Sequence, residues 1–222
     1  GTTISGSTGK YQDAIILAGG TLKLPGDAYD FTNVQLWSVA PSVIKFLSGD
    51  GLGTLSLHRD CRFDCPVGIP GSLVIVSNKV YHTAQGVGYK RFWLAIATTN
   101  DLTVLAKGTI SGDGAGFAGA SSPGYGGVNS IGGSYGGMGH GATLANCYGD
   151  PRDPQECGSA GQGAGGGLVK LLVGGTLDVD GIITANGAQS GSSAGSGGAV
   201  NLTVNRLTGG GRIRAGGGCS YP

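Results

Sequence analysis

The stretch LDVDGIITANG, residues 177–187, places a glycine at 181, an isoleucine at 183 and a second glycine at 187. The spacing recurs in LTVLAKGTISGDG (102–114), as Gly108, Ile110 and Gly114. It recurs again in VNRLTGGGRIRAGGG (204–218), as Gly211, Ile213 and Gly217. An internal repeat specifies an architecture more firmly than local propensity, because each copy is a unit that cannot bury its apolar face alone. Ile183 and Ile213 lie 30 residues apart, which suits one coil of a parallel β-solenoid carrying a loop, whereas Ile110 and Ile183 lie 73 apart. The longer interval holds a glycine-rich tract, which reads as an insertion between coils.

The rest of the chain agrees with that reading. Apolar stripes of helical period are nearly absent, and short β-branched runs bounded by Gly, Asn, Asp and Pro recur throughout. Strands are predicted at 14–18, 21–24, 34–39, 43–47, 54–58, 72–81, 91–97, 102–106, 168–173, 176–179, 182–185, 199–204 and 212–215. The expected fold is all-β, a parallel β-solenoid (β-helix) with a glycine-rich polyproline II insertion. Residues 1–111 form its β-rich start, 112–167 the insertion and 168–222 the C-terminal coils.

Within the insertion, GYGGVNSIGGSYGGMGHG (124–141) has nine glycines in eighteen positions. Glycine loses more backbone entropy on ordering than any other residue, so such density needs a packing reason or it stays unordered. Every third residue from Gly112 to Ala142 is Gly, Ala or Ser. Three residues per turn is the polyproline II period, and one small residue per turn lets such helices pack backbone to backbone. An ordered bundle is the reading adopted; a flexible loop is the alternative.

Composition bounds the partners. Of 222 residues, 39% are hydrophobic, enough to supply a core. Charge is sparse at 12% and nearly balanced at +1, which argues against nucleic acid and anionic membrane surfaces. No apolar run approaches the roughly 20 residues of a membrane span. The start at Gly1, without Met, reads as a mature or trimmed chain.

Five cysteines in a composition of extracellular type suggest disulfides. Cys61 with Cys65, and Cys147 with Cys157, would each close a local loop, leaving Cys219 free or intermolecular. His58, His82 and His140 have no paired spacing with the cysteines, so zinc is not expected. Asn201-Leu202-Thr203 is a glycosylation sequon on a strand whose Val200, Leu202 and Val204 alternate with Asn201, which should point outward.

YGDPRDP (148–154), the tract GQGAGGG (161–167) and GTLDVDGIITANG (175–187) together resemble glycine-rich repeats of large secreted and cell-surface proteins, similar in style to filamentous-haemagglutinin-like β-helices. The resemblance covers about residues 100–218. It implies an adhesive or matrix-forming role and brings no catalytic residues. Cys157 before the glycine tract and Cys219 after the last repeat depart from that pattern.

Carbohydrate-active solenoids need clustered carboxylates. The one acidic concentration is GDPRDPQE, with Asp150, Asp153 and Glu156 around Arg152. These three are also weak calcium candidates, although their spacing matches neither an EF-hand nor the GGxGxD repeat. A disulfide-closed turn with an Arg152 ion pair is the expectation. His58, Arg59, Asp60, Arg62 and Asp64 mix both signs and read as a solvated loop. No phosphate-binding loop is present, and no Gly-x-Ser-x-Gly elbow has a histidine nearby. Tyr125, Tyr135 and Tyr148 are read either as glycan or surface contacts or as packing over glycine faces. Trp37 and Trp93 fall in apolar runs and read as core. Repeated Thr-x-Thr rows, the mark of an ice-binding solenoid, are missing.

The functional expectation is an extracellular structural or adhesive protein without an active site or cofactor, self-assembling into a filament or matrix through unpaired solenoid ends. Residues 1–10 would be a cap, a linker or a strand donated to a neighbour. The alternative is a monomeric glycan- or surface-binding module; a carbohydrate-active enzyme and an ice-binding protein rank lower.

Overall fold

The computed structural model describes residues 14–24, 26–32, 34–47, 50, 52–86, 92–127 and 131–219. Residues 1–10 lie outside them. The strands are β1 (Ala14–Leu24), β2 (Ala28–Phe31), β3 (Gln35–Phe46), β4 (Gly53–Leu57), β5 (Cys61–Phe63), β6 (Val67–Ile69), β7 (Gly71–Ile75) and β8 (Lys79–Tyr81). They continue as β9 (Leu94–Thr98), β10 (Leu102–Val104), β11 (Thr109–Ser111), β12 (Leu168–Val179), β13 (Ile182–Thr184), β14 (Ala199–Thr208) and β15 (Arg212–Arg214). The pairings are parallel and each joins one turn of chain to the next, so the fold is the expected all-β parallel solenoid.

Three ladders make three faces. On the first, Tyr29, Leu55, Leu73, Leu102, Leu177 and Leu207 stand in register. The second stacks Cys61, Val80, Ile110, Ile183 and Ile213, with Ile15 and Leu36 beneath. The third carries Ser42, Val67, Ile96, Leu171 and Leu202. The three isoleucines of the sequence repeat are thus consecutive rungs of one ladder. Its corner glycines stack as well: a Cβ on Gly181 would lie 2.2 Å from the Gly108 carbonyl oxygen, and one on Gly211 the same distance from that of Gly181.

Inward rungs are fully buried from Leu55 and Cys61 up to Leu177 and Ile183. Each aliphatic rung contributes about 1.5–3 kcal/mol by leaving water, and only stacked neighbours provide the cover.

Coil length explains where the sequence expectation differs in detail. Leu55 and Leu73 are adjacent rungs only 18 residues apart, so three faces and three corners must fit in that length. The single strand expected at 72–81 therefore breaks at Val76–Asn78 into β7 and β8. The short strands β2, β5 and β6 carry too few residues for a period to show.

Corners are fastened by carboxylates and amides that reach one coil up. Asp60 Oδ1 accepts from the Lys79 N–H (2.8 Å), Asp101 Oδ1 from Thr176 (2.7 Å), Asp113 Oδ1 from Asn186 (2.6 Å) and Asn186 Oδ1 from Gly216 (2.9 Å). Each satisfies a backbone donor where the ladder is interrupted.

The glycine-rich insertion leaves the second face after β11 and returns at β12. Its two ends join the sheet, Gly112 donating to Thr184 O (2.7 Å) and Gly167 O accepting from Ala199 (2.9 Å), and between them extended segments hydrogen-bond to one another: the Gly116 N–H donates to Gly165 O (2.7 Å), Gly165 to Phe117 O (2.9 Å) and Gly126 to Ala160 O (3.0 Å). Residues 185–198 and 215–218 join them, through Gly166 to Ser196 O (2.9 Å) and Gly187 to Gly216 O (2.9 Å). Here glycine serves closeness more than turning. A Cβ on Gly165 would sit 2.0 Å from Gly158 O, and one on Gly198 2.0 Å from Gly167 O. The expected three-residue phase holds in part: Gly124, Gly133 and Gly139 make such approaches, whereas Gly136 has nothing within 4 Å.

Gly198→Ala is expected to lower stability by about 1–3 kcal/mol through overpacking, read as a shift in denaturant midpoint. Gly191→Ala, at a position with nothing within 4 Å, should leave the midpoint unchanged.

Candidate functional site: the open terminal coil

Among the described residues the last coil, β14 and β15, has a neighbour on one side only. Its inward rungs emerge accordingly. Leu207 is 51% exposed and Ile213 38%, against 0% for Leu177 and Ile183 directly beneath, and Val200, Leu202 and Val204 are half-covered. Arg206, Arg212 and Arg214 stand exposed beside these rungs. No acidic residue follows Asp180 in the chain, and among the described residues none of the three arginines lies within 4.0 Å of a carboxylate.

The opposite end is built differently. Tyr29 and Phe31 on β2 are buried and meet edge to face at 6.1 Å, and Leu22 and Leu24 are buried too. Yet among the described residues β2 is paired only with β4. Asp27 and Asp30 are exposed there, Asp30 lying 2.8 Å from His58 Nε2. Among the described residues, one end presents part-exposed aliphatic rungs beside three arginines, and the other has buried rungs beside two exposed aspartates.

The two local disulfides expected, Cys61 with Cys65 and Cys147 with Cys157, are not formed; these four are free thiols, as is Cys219, for which a free thiol was one of the two expected states. Cys61 is the inward rung opposite Val80, its Sγ donating to Arg59 O (3.1 Å), and burial pushes its pKa up to about 11. Cys157 is buried in a second apolar cluster with Phe117, Tyr135, Leu168 and Ala199, whereas Cys147 is half-buried. Cys219 is exposed just beyond the last coil.

Asn201 lies on the outer side of β14, but its amide is engaged: Nδ2 donates to Asp153 Oδ1 (3.0 Å) and Pro154 O (3.4 Å). A glycan on that nitrogen would displace the 150–156 loop. The acidic trio does not converge. Asp150 Oδ1 accepts from the Arg152 N–H (2.8 Å), Asp153 from Gln155 and Asn201, and no group of three possible metal ligands occurs among the described residues. Calcium therefore has no assembled donor set here. The expected Arg152 ion pair is not among the salt bridges of the described residues.

Tyr135 and Tyr148 pack edge to face at 5.0 Å inside the second cluster, and Ser159 Oγ donates to the Tyr148 hydroxyl (2.9 Å). Burial raises both phenols. Tyr125 is half-buried. No tyrosine ridge is presented by the buried pair. Arg62, read as part of a solvated loop, lies over Trp37 at 4.7 Å and pairs with buried Asp64 at 3.2 Å.

His82 was not singled out by its sequence context. It is buried where the insertion begins and ends: its Nδ1–H donates to Thr83 O (2.9 Å), and a Cβ on Gly167 would stand 2.1 Å from its Nε2. Nε2 has no hydrogen-bond partner among the described residues. Burial lowers the pKa, outweighing the opposing pull of the Thr83 carbonyl and Asp64.

Comparison with known proteins finds no matching family model, no matching curated protein and no matching solved structure.

Two outcomes follow from these environments. Under native conditions a thiol reagent should label Cys219 first, with Cys61 and Cys157 reacting only on unfolding, as followed by mass spectrometry of quenched samples. For His82, the unfolded chain takes up a proton near its ordinary pKa of about 6.5 while the folded chain resists it. Stability therefore falls as pH drops through that value toward the lower folded one. His82→Asn, which keeps a donor toward Thr83 O, should flatten the loss of melting temperature between pH 7.5 and 5.5, both about one unit from that value.

Proposed function

We propose that the chain is an extracellular structural protein, a subunit of a filament or matrix, and that its open terminal coil docks on the β2 end of a second copy. The observation that carries this reading is the emergence of Leu207 and Ile213 from ladders whose rungs directly beneath, Leu177 and Ile183, are fully buried. A solenoid end without a polar cap favours stacking, and a strand edge pairs with another edge.

Charge favours the head-to-tail arrangement over two open ends meeting. Arg206 on the first face would come beside Ala28 of the next copy, between Asp27 and Asp30, while two basic ends would repel. The register also continues: Tyr29 follows Leu207, and Ile15 follows Ile213. The extracellular placement rests on the glycine-rich, charge-poor composition and on the resemblance to secreted repeats.

Negative-stain microscopy and light scattering of the purified protein test the proposal. Filaments with a regular axial repeat are expected, Leu207→Asp should give monomers, and Arg206→Glu should shorten the assemblies unless combined with Asp30→Arg. Single particles at every protein and salt concentration would defeat it and favour a monomeric binding module.

A further inference from the structure

Outside the third face lies a trough that self-assembly does not use. Outward residues there follow the ladder register: Val43, Gly68, Ala97 and Leu172 form one row. Gly68 and Ala97 make a low floor between Val43 and Leu172, which are 38% and 51% exposed. Trp93 walls the trough beside Ala95, and Gln155 reaches over it from the 150–156 loop. The volume of this open trough is about 420 Å³, within the range of small-molecule sites.

Packing does not demand the glycine. A Cβ on Gly68 would meet Val43 Cγ2 at 3.6 Å and Ser42 O at 4.0 Å, ordinary contacts, and the backbone is not left-handed. Glycine at 68 instead keeps the floor open, unlike Gly124 and Gly165 of the insertion, where a Cβ would collide with a carbonyl oxygen.

Among the described residues, Lys170 is the one cation in this lining. Lys170, paired in register with Ala95, donates from Nζ to Gln155 Oε1 (3.2 Å), and among the described residues no carboxylate lies within 4.0 Å of it. The nearby carboxylate of Asp153 accepts from Gln155 and Asn201. The remaining walls offer indole, aliphatic and proline surface with few polar groups. A sugar covered in hydroxyls would lose hydrogen bonds to such walls, and a neutral hydrocarbon would leave the ammonium charge with no counter-charge beyond its neutral amide partner.

We infer that the trough binds a small molecule with an apolar body and one carboxylate, the body lying on Gly68 and Ala97 beside Trp93 and the carboxylate meeting Lys170. That chemistry is shared by fatty and aromatic acids.

Calorimetric titration tests it with octanoate and 2-naphthoate as probes and 1-octanol and 2-naphthalenemethanol as neutral counterparts. One saturable site is expected, with at least one acid bound about tenfold or more tightly than its alcohol, the scale of a charge-assisted hydrogen bond. Which acid prevails identifies the source of the ligand. Lys170→Met should remove the preference for the acid, and Gly68→Leu should abolish binding of both while leaving the thermal melt intact. The inference is overturned by no saturable binding, by equal binding of acid and alcohol to the unaltered protein, or by undiminished binding to a folded Gly68→Leu variant.

Discussion

Everything in this fold depends on one coil lying in register on the next. A coil as short as the step from Leu55 to Leu73 cannot enclose its own apolar residues; it has a lumen only because another coil covers it. The aliphatic ladders, the corner carboxylates and the stacked glycines all serve that alignment. Where covering stops, at β14 and β15, the same side chains that form the core become surface. Core and candidate docking surface are one chemical pattern in two positions.

The glycine-rich bundle extends the principle to backbone alone. Carbonyl oxygens approach α-carbons so closely that a methyl group has no room, as at Gly165 and Gly198. The loss of glycine's conformational freedom is offset by hydrogen bonds between extended segments that no side chains hold apart. Around them, Phe117, Tyr135, Tyr148 and Leu168 supply a small apolar cluster.

The sequence made the solenoid legible because Gly108, Gly181 and Gly211 keep a fixed distance from Ile110, Ile183 and Ile213, and the structure stacks those residues directly. It did not reveal β5, since CRF shows no alternation long enough to read, nor that Cys61 stands in an aliphatic ladder, since a thiol is also a small hydrophobe. The close-packed glycines look locally like any others; whether each touches a carbonyl depends on segments up to tens of residues away. At the candidate site the absence of acidic residues between Asp180 and Cys219 was visible, but its meaning required knowing that β15 is the outermost rung among the described residues. The trough at Gly68 and Lys170 draws on β6, β9, β12 and a distant loop, and no local pattern joins them.

The side bundle has a mechanical consequence. Residues 112–118, 157–167, 185–198 and 215–218 are hydrogen-bonded in succession beside the upper coils, forming a second column joined to the first along one edge. Two linked columns resist bending most strongly in the plane that contains both, as a flanged beam does. The segment bearing the bundle is therefore stiffer in one direction than the other, and under a sideways load it would bend about its weaker axis and leave the glycine contacts nearly undisturbed.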